Sequence, residues 1–337
     1  MDESTKAKVK AWRAKLAELR VAMIRVTMQG AEQGDAELQF ELGLMYLKGE
    51  ELPKDEVRGF EWVKKSAEQG YAEAQCTLGS LYRVGRGVEL DLAEGVRWFK
   101  KAAEQGHAEA QGLLATAYER GSGVEEDDAE AFRLFTLSAE QGNARAQCSL
   151  GAMYLFGRGT EQSDSLALEW YQRSAAQGYE GALNNLAWLY EHGRAVPEDM
   201  AEAARLYSLA AEQGLARAQY NLAGMYAEGR GVEHSDTEAL RLYTLAAEQE
   251  HAGAQCSLGY RYTMGIGTAQ DYAEAAKWYR KSAEQGNPQA QYSLGTLYEG
   301  GFGVEQSAEE AERWYRKAAE QGDADATRAL DTLLKKK

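Results

Sequence analysis

Apolar residues recur along this chain in blocks that repeat every 36 residues, without an insertion. A glycine closes each block, at Gly34, Gly70, Gly106, Gly142, Gly178, Gly214, Gly286 and Gly322, with Glu250 the one exception. Taking the residue after it as position 1, leucine holds position 8 in all eight blocks, from Leu42 to Leu294. Tyrosine holds position 12, from Tyr46 to Tyr298, and glycine holds position 15, from Gly49 to Gly301. At 100° per residue, positions 2, 4, 5, 8, 9, 11 and 12 share one arc of a helix. The spacing therefore predicts a first helix over positions 2–14, for instance Ala72 to Val84, ended by a glycine in the left-handed region. A second helix begins after Asp or Ser at position 21, from Asp55 to Ser307, and carries large residues at positions 28 and 29, such as Trp98 and Phe99. Six of these starts have Glu three residues on, as at Glu94 and Glu274. That is the signature of a capping box, in which both side chains satisfy orphan amides.

Neither helix can bury its apolar stripe within one block, so neighbouring blocks must stack to form a continuous core. The expected fold is an all-α solenoid of eight helix–turn–helix repeats: 35–70, 71–106, 107–142, 143–178, 179–214, 215–250, 251–286 and 287–322. Residues 1–34 are expected to form an N-terminal capping helix, made basic by Lys6, Lys8, Lys10, Arg13, Lys15, Arg20 and Arg25. Residues 323–337 repeat the first helix alone and are expected to cap the other end. Lys335, Lys336 and Lys337 suit a helix C-terminus there.

Ala72, Ala74, Gln75, Leu78, Gly79, Tyr82, Gly85, Gly87 and Val88, with the recurring Ala-Ala-Glu-Gln-Gly ending, resemble the Sel1-like repeat family. That family is related to tetratricopeptide repeats, and the resemblance implies a right-handed α/α superhelix used as a protein-binding scaffold or adaptor. Two departures stand out. Glu50-Glu51-Leu52-Pro53 replaces the usual Gly-Val turn in repeat 1, and Leu183 replaces Gln at position 5 of repeat 5.

Composition narrows the functions. A net charge of −15 argues against wrapping nucleic acid, whose phosphates call for a basic surface. No apolar run approaches the ~20 residues that span a bilayer, and the first residues lack a secretory signal, so a cytoplasmic protein is expected. Cys76, Cys148 and Cys256 share position 6 in non-adjacent repeats, which sets them too far apart for disulfides and leaves them reduced. Without CxxC or clustered histidines, neither a metal nor a cofactor is expected. Gly-Arg-Gly-Val recurs as an inter-helix turn and lacks the Gly-Lys-Ser/Thr ending of a phosphate loop. A hydrolase similar to cysteine-rich Sel1-like proteins would need a nucleophile motif such as Ser-x-x-Lys, which is missing.

What varies between copies is the opposite arc of the first helix, positions 3, 6, 7, 10, 13 and 14. By similarity to tetratricopeptide arrays it should line a concave face. In repeats 5 to 8 it carries Asn184, Asn185, Trp188, His192, Tyr220, Asn221, Tyr260, Met264 and Tyr292. Aromatic rings beside amides are enriched at binding hot spots. Trp188 faces Gly224 at the matching place in the next repeat, which leaves the indole open. These residues either meet a peptide or partner helix or pack between neighbouring first helices. The expected function is a non-catalytic interaction scaffold; the alternative is a structural or self-assembling spacer.

Overall fold

The computed structural model describes residues 3–335; Met1, Asp2, Lys336 and Lys337 lie outside the described residues, as do the side chains of Lys6, Lys8, Lys10 and Arg13. The described residues form eighteen helices and no strand. They fall into two compact units, residues 1–170 and 171–337. The first holds α1 (Glu3–Glu32), α2 (Ala36–Lys48), α3 (Glu56–Glu68), α4 (Ala72–Val84), α5 (Leu92–Glu104), α6 (Ala108–Arg120), α7 (Asp128–Glu140) and α8 (Ala144–Phe156). The boundary falls within α9 (Asp164–Ala175). The second holds α10 (Glu180–Glu191), α11 (Met200–Glu212), α12 (Ala216–Glu228), α13 (Asp236–Glu248), α14 (Ala252–Met264), α15 (Tyr272–Glu284), α16 (Pro288–Gly300), α17 (Ala308–Glu320) and α18 (Ala324–Lys335). Even-numbered helices are the first helices of the repeats.

From α1 to α8, and again from α10 to α18, each helix packs on the next in sequence, so a second helix is shared between two first helices. Leu78, Leu150, Leu258 and Leu294 at position 8 are fully enclosed. Position 9 is Gly or Ala because the helices meet there: a Cβ on Gly79 would sit 2.7 Å from the Phe99 ring and 2.8 Å from the Gly95 carbonyl oxygen. The position 12 tyrosines depart from expectation, being half-buried rather than core. Their backbone explains part of their setting, since each carbonyl accepts the N–H of the following N-cap residue, as in Asp91 to Tyr82 at 3.0 Å.

That bond also revises the capping box. Asp91 Oδ1 does accept from the Glu94 amide at 2.9 Å, as the spacing predicted. The reciprocal half does not form, because the Asp91 N–H is already taken by Tyr82. Glu94 instead pairs with Arg97 at 2.8 Å, and Glu130, Glu202 and Glu238 pair in the same way with Arg133, Arg205 and Arg241.

The Gln at position 5 and the Gln of the Glu-Gln-Gly ending form an internal ladder. Gln75 Nε2 donates to the Ala67 carbonyl of the preceding repeat, and its Oε1 accepts from Gln105 Nε2 at 2.7 Å. The same pair recurs as Gln111–Gln141, Gln219–Gln249, Gln255–Gln285 and Gln291–Gln321, each at 2.8 Å. The buried position 5 amides satisfy helix-end carbonyls that would otherwise be orphaned. Leu183 breaks the ladder in repeat 5, where Gln213 donates to the Gly178 carbonyl at 3.0 Å, as Gln105 does to that of Gly70.

The Gly-Arg-Gly turns tie one repeat to the one before. Arg158 bonds Asp128 at 2.7 Å and Glu119 at 3.1 Å, and Arg86 reaches Glu56 at 3.0 Å. The second glycine of the turn touches its neighbour closely: a Cβ on Gly231 would lie 2.0 Å from the Met200 carbonyl oxygen. At the repeat-closing glycines, by contrast, a Cβ would meet open space. Glu250 sits at one of those places with φ 64°, so its only cost is the left-handed backbone. Glu250→Gly is expected to raise stability by about 0.5–1 kcal/mol. A chemical denaturation midpoint that stays level or falls would contradict this.

Candidate functional site

The variable arc of the first helices is less uniformly open than its pattern suggested. Cys76 and Asn184 at position 6, and Leu47 and Leu155 at position 13, are buried against neighbouring helices. Position 14, including His192 and Met264, is exposed in every repeat.

In the second unit the nine candidate residues separate into groups. Asn184 turns inward: its Nδ2 donates to Asn185 Oδ1 at 3.3 Å and its Oδ1 accepts from Asn221 Nδ2 at 3.2 Å. Its amide is spent on α10 and α12 and is not available to a peptide backbone. Trp188 is half-buried, and His192 stacks on it with ring centroids 4.3 Å apart. The Arg194 guanidinium lies 5.7 Å from the same indole. The open place that Gly224 was expected to leave beside Trp188 is thus partly taken from its own repeat. Tyr292 packs with Tyr315 and Leu333 beneath α18 and belongs to that small core.

Tyr220 and Tyr260 come together at an open concavity of about 580 Å³ built on α12, α14 and their neighbours. Tyr243, Tyr279 and Arg261 line it too, with Ser257, Asn287 and Ser293 as polar groups at its edge. Tyr260 is 52% exposed, and Met264, one turn further along α14, is 55% exposed. Tyr220 is held between His251, stacked at 4.6 Å, and Tyr243 at 5.7 Å. His251 is the N-cap of α14, its Nδ1 accepting the Ala254 amide at 3.1 Å. Burial, with help from nearby Arg217, lowers its pKa from the ordinary histidine value. It is therefore neutral at pH 7, and the acceptor form needed by the cap persists.

Arg261 belongs to the same concavity although it lies outside the variable arc. Position 11 is Met, Leu or Ala in the other seven repeats, so an arginine there was a visible signal. Only 6% of Arg261 is exposed. Its Nη1 bonds Asp236 Oδ1 at 3.0 Å, and its guanidinium lies 5.3 Å from the Tyr243 ring centroid. Asp236 occupies position 22, the place that Asp128 and Glu56 hold where they receive Arg158 and Arg86. Repeat 7 has Ile266 in its turn where those repeats carry the arginine. Arg261 thus makes the inter-repeat ion pair from inside α14, which puts a cation on the floor of an aromatic concavity.

Cys256 also lines this concavity, and burial pushes its thiol up to about 11; Cys76 is pushed up to about 12. Both are protonated and weakly nucleophilic at neutral pH. Among the described residues no group of three or more His, Cys, Asp or Glu side chains could hold a metal ion. No described helix is long and apolar enough to cross a membrane.

The Sel1 repeat model matches eight consecutive segments, 36–71, 72–107, 108–143, 144–179, 181–215, 216–251, 252–287 and 288–323. A search of curated proteins returns no match. Among solved structures, the chain is similar to a protective antigen of uropathogenic Escherichia coli with an SLR fold. The two share 41% identity and a TM-score of 0.72, over 92% of this chain and 67% of the antigen. It is also similar to a Sel1 repeat protein of Oxalobacter formigenes, at 32% identity and a TM-score of 0.65, over 92% of this chain and 90% of that one. Sel1 repeat arrays generally act as protein-interaction scaffolds. With all eight repeats matched in unbroken order, this chain belongs to the Sel1 repeat family.

Proposed function

We propose that this protein is a non-catalytic scaffold that holds an extended peptide or a partner helix on the face formed by α10, α12, α14 and α16. The observation that carries the reading is the pair of exposed side chains Tyr260 and Met264 beside a concavity lined by three further tyrosines and a buried arginine. Large apolar surface left in water is disfavoured unless something covers it, and tyrosine and arginine are the residue types that dominate interface energetics. The donors of Arg261 that are not bonded to Asp236 suit a carbonyl or carboxylate of the occupant. Trp188 and His192 extend the same face toward repeat 5. The free thiols of Cys76 and Cys256 fit a reducing compartment such as the cytoplasm.

A random peptide library displayed on phage and selected on the whole chain supplies a defined ligand for the test. Tyr260→Ala is expected to weaken that peptide by at least about 1 kcal/mol, roughly fivefold, in calorimetric titration. Trp188→Ala should weaken it by less, because its indole is partly covered already. Peptides that bind the Tyr260 variant as well as the native chain would place the binding face elsewhere.

A further inference from the structure

α1 is far longer than a cap requires. Among its described side chains only those of the last turns pack on the array: Thr27 and Ala31 are buried, Ile24 and Met28 are half-buried, and residues 18–23 are exposed. Yet its exposed part is not simply polar. Trp12, Leu19, Met23 and Val26 are each more than half exposed. Their spacing of seven, four and three residues places them on one stripe, and the sequence continues that register at Val9 and Leu16. A strict three-four alternation is the heptad seam of a coiled coil, narrower than the broad apolar face of a helix lying on a membrane. At 100° per residue the seam lies about 100–120° around the helix from the stripe of Ile24 and Ala31 that meets the array. The seam is therefore left open by the contact that holds α1 in place.

The flanks of the seam are basic on both sides. Lys15 stands on one side and Arg20 on the other, and in register Lys8 and Arg13 repeat them one heptad earlier. The helix carries seven basic residues against three carboxylates, in a chain whose net charge is −15. Two copies of α1 paired along this seam would bring like charges together in either orientation, which disfavours self-pairing. We propose that α1 is a second docking site, separate from the concave face, and that it forms a two-stranded coiled coil with an acidic amphipathic helix of a partner protein. Trp12, Leu19, Met23 and Val26 supply the seam, and the flanking Lys15 and Arg20 select glutamate or aspartate at the facing positions.

The test uses two labelled 28-residue helical peptides with leucine along the seam, one with glutamate at all flanking positions and one with lysine. Each is titrated with the full chain and followed by fluorescence anisotropy. The glutamate peptide is expected to bind at least tenfold more tightly than the lysine peptide, and to weaken as salt is raised. Leu19→Glu with Met23→Glu should abolish binding while the array melts at its native temperature. The charge swap Lys15→Glu with Arg20→Glu should shift preference toward the lysine peptide, which a merely melted α1 would not do. Equal binding of both peptides would overturn the proposal. So would phosphatidylserine vesicles that bind through Leu19 and Met23 while the glutamate peptide fails. Self-association of the chain in sedimentation that Leu19→Glu removes would overturn it as well.

Discussion

Leu258→Ala is expected to cost about 2–5 kcal/mol of stability, toward the upper end because the site is fully enclosed. The side chain stands at position 8 of α14, the helix that packs on both α13 and α15. Two residues along the same helix, Tyr260→Ala should change stability by no more than about 0.5 kcal/mol, because that ring stands in the open groove. The contrast separates the two arcs of one helix within three residues. Guanidinium denaturation of both variants measures it, and equal midpoint shifts would mean that the arcs have been assigned wrongly.

The second large effect concerns Arg261. Asp236→Ala should destabilise the chain by about 3 kcal/mol, since it strips a nine-tenths buried guanidinium of its carboxylate. Arg261→Leu restores the apolar residue type of the other repeats and removes the charge together with its desolvation cost. It should be close to neutral, or stabilising by about 1 kcal/mol. Adding Ile266→Arg to Arg261→Leu returns the inter-repeat ion pair to the turn, as Arg86 and Arg158 make it. That double variant should be as stable as the native chain and yet bind a groove ligand less tightly. If Arg261→Leu instead costs as much as Asp236→Ala, the arginine is an essential strut and its place in the groove is incidental.

The repeat frame, the helix limits and the position 8 core were legible in the sequence, because each rests on local chemistry repeated eight times. Position 21 caps its helix as the spacing implied, and the Gly-Arg-Gly turns are joints between repeats rather than phosphate loops. Where the reading failed, the competing partner lay in another element. The Glu94 side chain was expected to close a capping box, but the Tyr82 carbonyl, nine residues before Asp91, had already taken the Asp91 amide. Asn184 looked free on its helical wheel, yet Asn221 of the next first helix claims its oxygen. Tyr292 looked like a groove residue and is covered by α18. A helical wheel holds the angle of a side chain around its own axis, and nothing of how far the adjacent helix stands away. Arg261 was different in kind: its break with the apolar habit of position 11 was plain in the sequence, and only attention to the variable arc hid it.

Partners are proposed to sit on the face formed by the first helices of repeats 5 to 8. The most direct test is site-specific photo-crosslinking with a peptide selected on the whole chain. A benzophenone amino acid is placed singly at Tyr260 and Met264 on α14, and at Arg241 on α13 and Lys277 on α15, which are exposed on the second helices. The account predicts adducts from positions 260 and 264 and none from 241 or 277. Adducts from the second-helix positions, with none from 260 or 264, would contradict it.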